Sequence, residues 1–268
     1  MTLATQGALP AAGHTILAVF AHPDDESLSC GGTLARLSDM GVRLVLVSAS
    51  RGERGSHTGP ARDEALGLAR VVELRQAAAA LGAAEVIVLD HPDGDLRWAD
   101  VTALNAELVM LVRHHQPSAV ITFGEDGLYW HPDHVAIHER TTTAVQSLGT
   151  DAPPLYYVTM PPGVMHNIVT AARARGWTPP PKGFWSLVPE AFGIHAEPPT
   201  IVVDVARWVP RKLAAIGCHR SQLGDGDPFS RLGERDAHTW LGTEHFRRAR
   251  AVGRTDPLFD SLSVQAAD

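Results

Sequence analysis

The sequence predicts an α/β fold of Rossmann-like, three-layer architecture, with a mostly parallel sheet in the order 3-2-1-4-5 and a C-terminal lid or extension. Short apolar, β-prone runs alternate with helical patterns over residues 15–160, and this alternation is typical of a parallel sheet covered by helices on both faces. Glycine or proline stands where many of the segments end, as expected at element boundaries. With 268 residues, 44% of them apolar, the chain can bury such a core.

Each predicted element has its own signal in the sequence. TILAVF, RLVLVSAS, EVIVLD, AVITFG and LYYVTM are apolar or β-branched runs, which predict strands over 15–20, 43–50, 85–90, 119–124 and 155–160. The intervening segments carry helical patterns and predict helices over about 27–40, 61–81, 100–115 and 132–148. Gly41 and Gly82 end the first two helices, and Pro117 ends the third. A further strand over 200–205 and a helix over about 210–220 follow.

The spacing of these elements indicates one domain in three parts. Residues 1–160 are expected to form the Rossmann-like core. Residues 161–199, with PPGV, TPPPKGFW and AEPP, break the alternation and are interpreted as a proline-rich insertion or lid. Residues 200–268 contribute a strand, a helix and a tail that pack on the core.

Composition excludes several classes of protein. Two cysteines, Cys30 and Cys218, cannot build a disulfide framework or a four-cysteine metal site. The first residues lack the features of a signal peptide, so a cytoplasmic location is expected. The net charge of −7 argues against a nucleic-acid or anionic-membrane partner, which would require clustered lysine and arginine. The sequence leaves the oligomeric state open.

The string His-Pro-Asp occurs three times, at 22–24, 91–93 and 131–133. Composition alone predicts far fewer than one occurrence. Each copy directly follows a predicted strand: the first, the third and the fourth. Because ligands of open α/β sheets bind beyond the carboxyl ends of the strands, and strands one and four are neighbours in the predicted order, the first and last copies are expected to meet.

A simpler interpretation is that these strings only start helices. Proline favours the first helical turn, and acids there complement the helix dipole. That interpretation explains neither the histidines nor the second histidine of the last copy. The two turns instead place five groups within a few ångströms of one another, since strands lie about 4.8 Å apart: His22, Asp24, Asp25, His131 and His134.

Two imidazoles and one carboxylate that leave a coordination position open are the ligands of a catalytic zinc. The linear HExxH pattern is absent from the sequence, so the site must be assembled from two loops. The remaining groups would supply what hydrolysis needs, a base for the attacking water and an acid for the leaving amine.

AHPDDE (residues 21–26) and YWHPDH (residues 129–134) resemble the motifs of the LmbE-like, or PIG-L, zinc-dependent N-deacetylases. That family removes acetyl groups from N-acetylglucosaminyl conjugates and includes the deacetylases of mycothiol and bacillithiol synthesis. The similarity covers about residues 15–148, with a weaker echo at 218–222. It implies a Zn²⁺ enzyme, with other divalent metals such as Fe²⁺ as substitutes, that acts on a small amino-sugar conjugate.

The resemblance also implies a role for each matching residue. The metal ligands would be His22, Asp25 and His134. Asp24 would be the general base, and His131 would protonate the leaving amine and stabilise the oxyanion, supported by Asp133. The sugar contacts would be Arg70, Asp93 and Tyr129. Without the resemblance these three have ordinary explanations: a solvated helix charge, a turn residue and a residue packed against the lid.

Other functions fit the same residues less well. Receiver domains bind Mg²⁺ after strand one but need no histidines, and a dinucleotide-binding module would need GxGxxG there. Within the enzyme class, the alternative is a zinc amidase of a larger acyl or thiol-conjugate substrate. The non-enzyme alternative is a non-catalytic carbohydrate-binding relative, against which Asp24 and His131 argue because binding alone needs neither base nor acid.

Overall fold

The structure is a computed structural model that describes residues 12–55, 63–180, 184–223, 227–250, 253–255 and 257–263. Its strands form one mixed sheet in the order β3-β2-β1-β4-β5-β7-β6. The strands are β1 Thr15–Phe20, β2 Arg43–Ser48, β3 Glu85–Val88, β4 Ala119–Phe123, β5 Leu155–Thr159, β6 Ile201–Asp204 and β7 Thr243–Arg248. The α/β prediction is confirmed, and the first five strands have the predicted order.

The α-helices of the described chain are α1 Asp25–Asp39, α2 Asp63–Leu81, α3 Val101–His115, α4 Gly127–Trp130, α5 Pro132–Gln146, α6 Val164–Arg173, α7 Val209–Ile216, α8 Arg220–Leu223, α9 Glu234–Leu241 and α10 Pro257–Asp260. Helix α1 begins two residues earlier than predicted, inside the acidic motif. The predicted start of α2 at residue 61 lies outside the described residues. In the described part of the chain, no helix is both long and apolar enough to cross a bilayer.

The parallel pairing of β1 with β4 determines where the first and last His-Pro-Asp turns lie. The register pairs Ile16 with Ala119 and Ala18 with Ile121. Both strands are apolar and buried along almost their whole length, as expected for central strands covered on both faces. The turns that follow them therefore leave the sheet side by side at its carboxyl edge.

The sequence analysis missed β7, which lies between β5 and β6 and is antiparallel to both. Its sequence, TEHFRR, has a single apolar residue, Phe246. That side chain is fully buried and pairs with Val158 of β5 and Ile201 of β6. One core residue among five polar ones gives no recognisable strand pattern.

The segment predicted as an insertion or lid, 161–199, contains α6 and short turns of 3₁₀ helix. Apolar residues of α6, including Met165 and Val169, form a small core of their own with Trp177 and Phe192. Residues 200–268 contribute β6 and β7 to the main sheet. The three-part division of the chain remains a prediction.

A buried carboxylate, Glu244, joins the last strand to helices α1 and α7. Glu244 of β7 accepts hydrogen bonds from the backbone N–H groups of Gly32 (2.9 Å) and Thr33 (2.7 Å), and its Oε1 lies 2.6 Å from Lys212 Nζ. Helix α1 is kinked at Cys30, with φ −146° and ψ 23°, and these two amides follow the kink. The Glu244 carboxylate therefore caps the second half of α1.

Glu244→Gln is predicted to destabilise the fold strongly, because it leaves the buried Lys212 ammonium without a negative partner. The expected loss in free energy of unfolding is about 3–5 kcal/mol. The matched control is Glu85→Gln, which breaks an exposed pair with Arg43 and should cost at most about 1 kcal/mol. Urea denaturation measures both. Equal losses would contradict the role given to the buried pair.

Candidate metal and catalytic site

The predicted site residues converge on one cavity of about 610 Å³. It opens at the carboxyl edge of the parallel strands. Eight of the nine predicted residues line it: His22, Asp24, Asp25, Arg70, Asp93, Tyr129, His131 and His134. Asp133, the ninth, is fully buried and hydrogen-bonded to His22. The structure thus places all nine in one neighbourhood.

His22, in the turn after β1, has its ring held by two carboxylates. Its Nε2 lies 3.1 Å from Asp133 Oδ2 and 3.1 Å from Asp93 Oδ1. Asp133 is itself held by the backbone N–H groups of Gly94 and Leu96. With Nε2–H donating to these acids, the neutral ring has its lone pair on Nδ1, which lies 3.5 Å from Asp25 Oδ2. This is the usual environment of a metal-binding imidazole.

His134, in the first turn of α5, has its ring held by a backbone carbonyl oxygen and by an aromatic ring. Its Nδ1 lies 3.1 Å from the Gly127 carbonyl oxygen, to which it donates, and its ring stacks on Phe123 at 4.0 Å between centroids. Its Nε2 then carries the lone pair and lies 3.2 Å from Asp25 Oδ1. One carboxylate, Asp25, therefore stands between the free nitrogens of two buried imidazoles.

His131 differs from the other two histidines because it caps α5. Its Nδ1 accepts a hydrogen bond from the Asp133 N–H at 3.2 Å, so in the neutral ring the proton resides on Nε2. Burial is the main cause that lowers the pKa of His131 to about 4, and the neighbouring His134 and His22 add to the effect. A ring whose acceptor nitrogen is already used offers no lone pair to a metal without changing its tautomer.

Among the described residues, two groups of side chains have potential ligand atoms that all lie within 4.8 Å of one another, and Asp25 belongs to neither: His22 with His131 and His134, and His22 with Asp93 and Asp133. In the second group the carboxylates are engaged with His22 Nε2. The hydrogen bonds therefore favour His22 Nδ1, His134 Nε2 and Asp25 as the donor set. Two nitrogens and one oxygen suit Zn²⁺, and Fe²⁺ accepts similar donors.

Asp24, the residue before Asp25, occupies a strained backbone conformation. Its φ of 123° is unusual for any residue but glycine. Burial raises the pKa of its carboxyl group to about 6, against the opposing positive charge of Arg70. The side chain remains 20% exposed and faces the cavity. A carboxylate that is basic for its type and open to substrate has the properties of a general base.

Arg70 lies beneath this turn, so the alternative of a solvated helix charge is wrong. The residue is 3% exposed. Its guanidinium donates to the carbonyl oxygens of Gly52 (2.8 Å) and Pro23 (2.7 Å), and to Asp24 Oδ2 at 3.2 Å. The sugar contact of Arg70 stays a prediction. The structure adds a second contact, the hydrogen bond from Arg70 to Asp24.

Asp93 does more than form a turn. Its Oδ2 accepts from the Arg54 N–H at 2.8 Å and its Oδ1 faces His22 Nε2. These contacts outweigh burial and lower the pKa of the Asp93 carboxyl group to about 2. The loop after β3 therefore reaches His22, and the His-Pro-Asp copy at 91–93 lies beside the first. Tyr129 packs against Phe192 and the ring of His134, at 4.8 Å and 5.3 Å between centroids.

Two buried residues, Glu26 and His219, help to fix the backbone of Asp24. The sequence analysis gave neither of them a role. Glu26 Oε2 accepts from the Asp24 N–H at 3.1 Å, and Glu26 Oε1 lies 2.9 Å from His219 Nε2 and 2.5 Å from Ser27 Oγ. Glu26 and His219 are 2% and 1% exposed. Two features of the sequence could have identified these residues. Glu26 lies inside the acidic motif, and His219 lies inside the echo at 218–222.

Comparisons with known proteins find a matching family and similar relatives. A model of the PIG-L family, described as GlcNAc-PI de-N-acetylase, matches residues 17–145. The chain is 33% identical to a 1D-myo-inositol 2-acetamido-2-deoxy-alpha-D-glucopyranoside deacetylase of Acidothermus cellulolyticus, over 95% of the chain and 97% of the relative.

Solved structures share the fold. The N,N'-diacetylchitobiose deacetylase of Pyrococcus horikoshii superposes with a TM-score of 0.63 and 22% identity, over 88% of this chain and 83% of that one. The 4-carboxy-2-hydroxymuconate hydratase GalB of Pseudomonas putida also superposes with a TM-score of 0.63, at 19% identity over 91% and 99%. A hydratase and a deacetylase on one fold mean that the activity must be argued from the site.

The hydrogen bonds predict how metal affinity divides among these residues. His22→Ala and His134→Ala should each lose most bound metal, because each removes a ligand nitrogen. Asp133→Asn should weaken affinity by about 10–100-fold, because it only loosens the hold on His22. Elemental analysis and competition with a chromogenic chelator measure occupancy and affinity. Full occupancy in both alanine variants would exclude this donor set.

Proposed function

The chain belongs to the PIG-L family, and we propose that it is a zinc-dependent hydrolase that removes the acetyl group from an N-acetylglucosamine-type conjugate, releasing acetate and a free amine. The observation that carries the proposal is the Asp25 carboxylate between two imidazoles whose remaining nitrogens are fixed by hydrogen bonds, with Asp24 directly beside it. This combines a metal donor set with an independent base.

The proposed metal ligands are His22, Asp25 and His134. Zinc bound there would supply a Lewis acid for the amide carbonyl and would make water more acidic. The protein's part is to keep each imidazole in one tautomer: Asp93 and Asp133 hold Nε2–H of His22, and the Gly127 carbonyl oxygen holds Nδ1–H of His134. Both rings are thereby oriented before any substrate arrives.

Asp24 is the proposed general base. Its carboxylate would take a proton from the water that attacks the amide carbon. Arg70 fixes one carboxylate oxygen from the side, and Glu26 holds the backbone N–H of the same residue. These contacts keep the side chain directed at the cavity despite the strained backbone, so its orientation needs no rearrangement during the reaction.

His131 is the proposed stabiliser of the oxyanion. With Nδ1 occupied by the Asp133 N–H, the Nε2–H group is available to donate to the carbonyl oxygen as negative charge develops there. The predicted second role, delivery of a proton to the leaving amine, would require the ring to take a second proton and give up this cap. The capped geometry therefore supports the oxyanion role more directly, and the proton that Asp24 takes from the water would then pass to the leaving amine nitrogen.

The sugar part of the proposal rests on the polar side of the cavity, where Arg70 and Asp93 are joined by Arg54 and Gln222. The test is to incubate the zinc-loaded protein with N-acetylglucosamine conjugates and to measure acetate and free amine together. We expect stoichiometric release that chelator abolishes and zinc restores. Release only from longer N-acyl substrates would replace the deacetylase with a general amidase, and binding without turnover would indicate a carbohydrate-binding protein.

Asp24→Asn should separate the base from the metal ligands. The variant should keep the metal and lose about 10²–10⁴-fold in kcat, the usual contribution of a general base. Asp25→Asn serves as the matched comparison, since it changes the adjacent carboxylate in the same way and should also lose metal affinity. Turnover of Asp24→Asn at the wild-type rate would show that another group takes the proton.

A further inference from the structure

The cavity has two chemically different walls. One is polar and carries Arg54, Arg70, Asp93 and Gln222 around the proposed amino-sugar position. The other comes from the chain segment 160–192, and every described residue that this segment contributes to the cavity is apolar: Met160, Met165, Pro180, Trp185, Leu187 and Phe192. We call this the apolar wall.

We infer that the apolar wall binds a hydrophobic aglycone, so that the substrate is an N-acetylglucosamine conjugate whose glycosidic partner is an alkyl or aryl group rather than a polyol. The inference rests on the proposed function, because it takes the amide and the sugar to lie at the polar wall. It adds the class of the group beyond the sugar.

The size of the cavity supports a second group on the substrate. A volume of about 610 Å³ falls within the ~300–1,000 Å³ typical of sites for drug-sized ligands. An acetylated monosaccharide is smaller than such ligands. Part of the cavity is therefore available to whatever the sugar carries.

The composition of the wall decides the chemistry of that group. A polyol placed there would lose water from its hydroxyl groups with few partners in exchange, which is unfavourable. An apolar group would gain from burial in proportion to its area. The edge of the wall is open to solvent, since Leu187 is 44% exposed. Exposed apolar area at the mouth of a site is typical of a binding surface rather than of a structural core.

The inference is tested with glycosides of N-acetylglucosamine that differ only in the alkyl group, from methyl to hexyl, together with the inositol glycoside. Each buried methylene should raise kcat/KM by about fourfold, so the hexyl glycoside should exceed both the methyl and the inositol glycosides. Lengthening the N-acyl group on the methyl glycoside should not raise kcat/KM.

Two variants test whether the rise in kcat/KM along the alkyl series depends on the apolar wall. Leu187→Ser should lower the ratio of kcat/KM for the hexyl glycoside to that for the methyl glycoside. The matched control is Val188→Ser, which changes a neighbouring residue that is 65% exposed and outside the cavity lining and should leave this ratio unchanged.

The inference is overturned if kcat/KM does not rise along the alkyl series, or if it is highest for the inositol glycoside. It is also overturned if a longer N-acyl group raises kcat/KM. Failure of the proposed function has a different signature, because then no N-acetylglucosaminide, including the methyl glycoside, would release acetate.

Discussion

The site depends on one buried carboxylate that faces two imidazoles. Asp25 is 6% exposed, and its oxygens lie 3.5 Å from His22 Nδ1 and 3.2 Å from His134 Nε2. A carboxylate this deeply buried is unfavourable unless a proton on the facing imidazole nitrogens, or a cation bound between them, compensates its charge. The two histidines come from the ends of different strands, so this requirement ties the position of α1 to that of α5 across the β1–β4 pair.

The residues around Asp25 are in turn held by further acidic residues. His22 is held by Asp93 and Asp133, and Asp133 by backbone amides of the loop after β3. Asp24 is held by Arg70 and through Glu26 by His219. Nearly every polar group around the cavity is thus a partner of another one, and a change in one residue alters the pKa and position of its neighbours. Effects of mutations here will not be additive.

The sequence predicted most of the fold because β1, β2, β4 and β5 are buried along most of their length and appear as continuous apolar runs. The bounds of β1 match the prediction, and those of most other strands differ by one or two residues. β7 was not predicted because its one apolar residue, Phe246, stands among polar residues. The metal and catalytic candidates were predictable since their motifs follow neighbouring strands. The contact between Glu26 and His219 spans 193 positions, and no local pattern encodes it.

The order of strands in the sheet has a consequence for synthesis on the ribosome. β7 separates β5 from β6 in space but follows both in the chain, so until it emerges the apolar strand LYYVT is an unpaired sheet edge of the kind that recruits other chains. Glu244, which caps the kinked α1, stands 212 positions after Gly32, a delay of roughly 10–40 s at typical elongation rates. The nascent chain thus carries its first His-Pro-Asp motif for most of its synthesis before the helix beside that motif is capped.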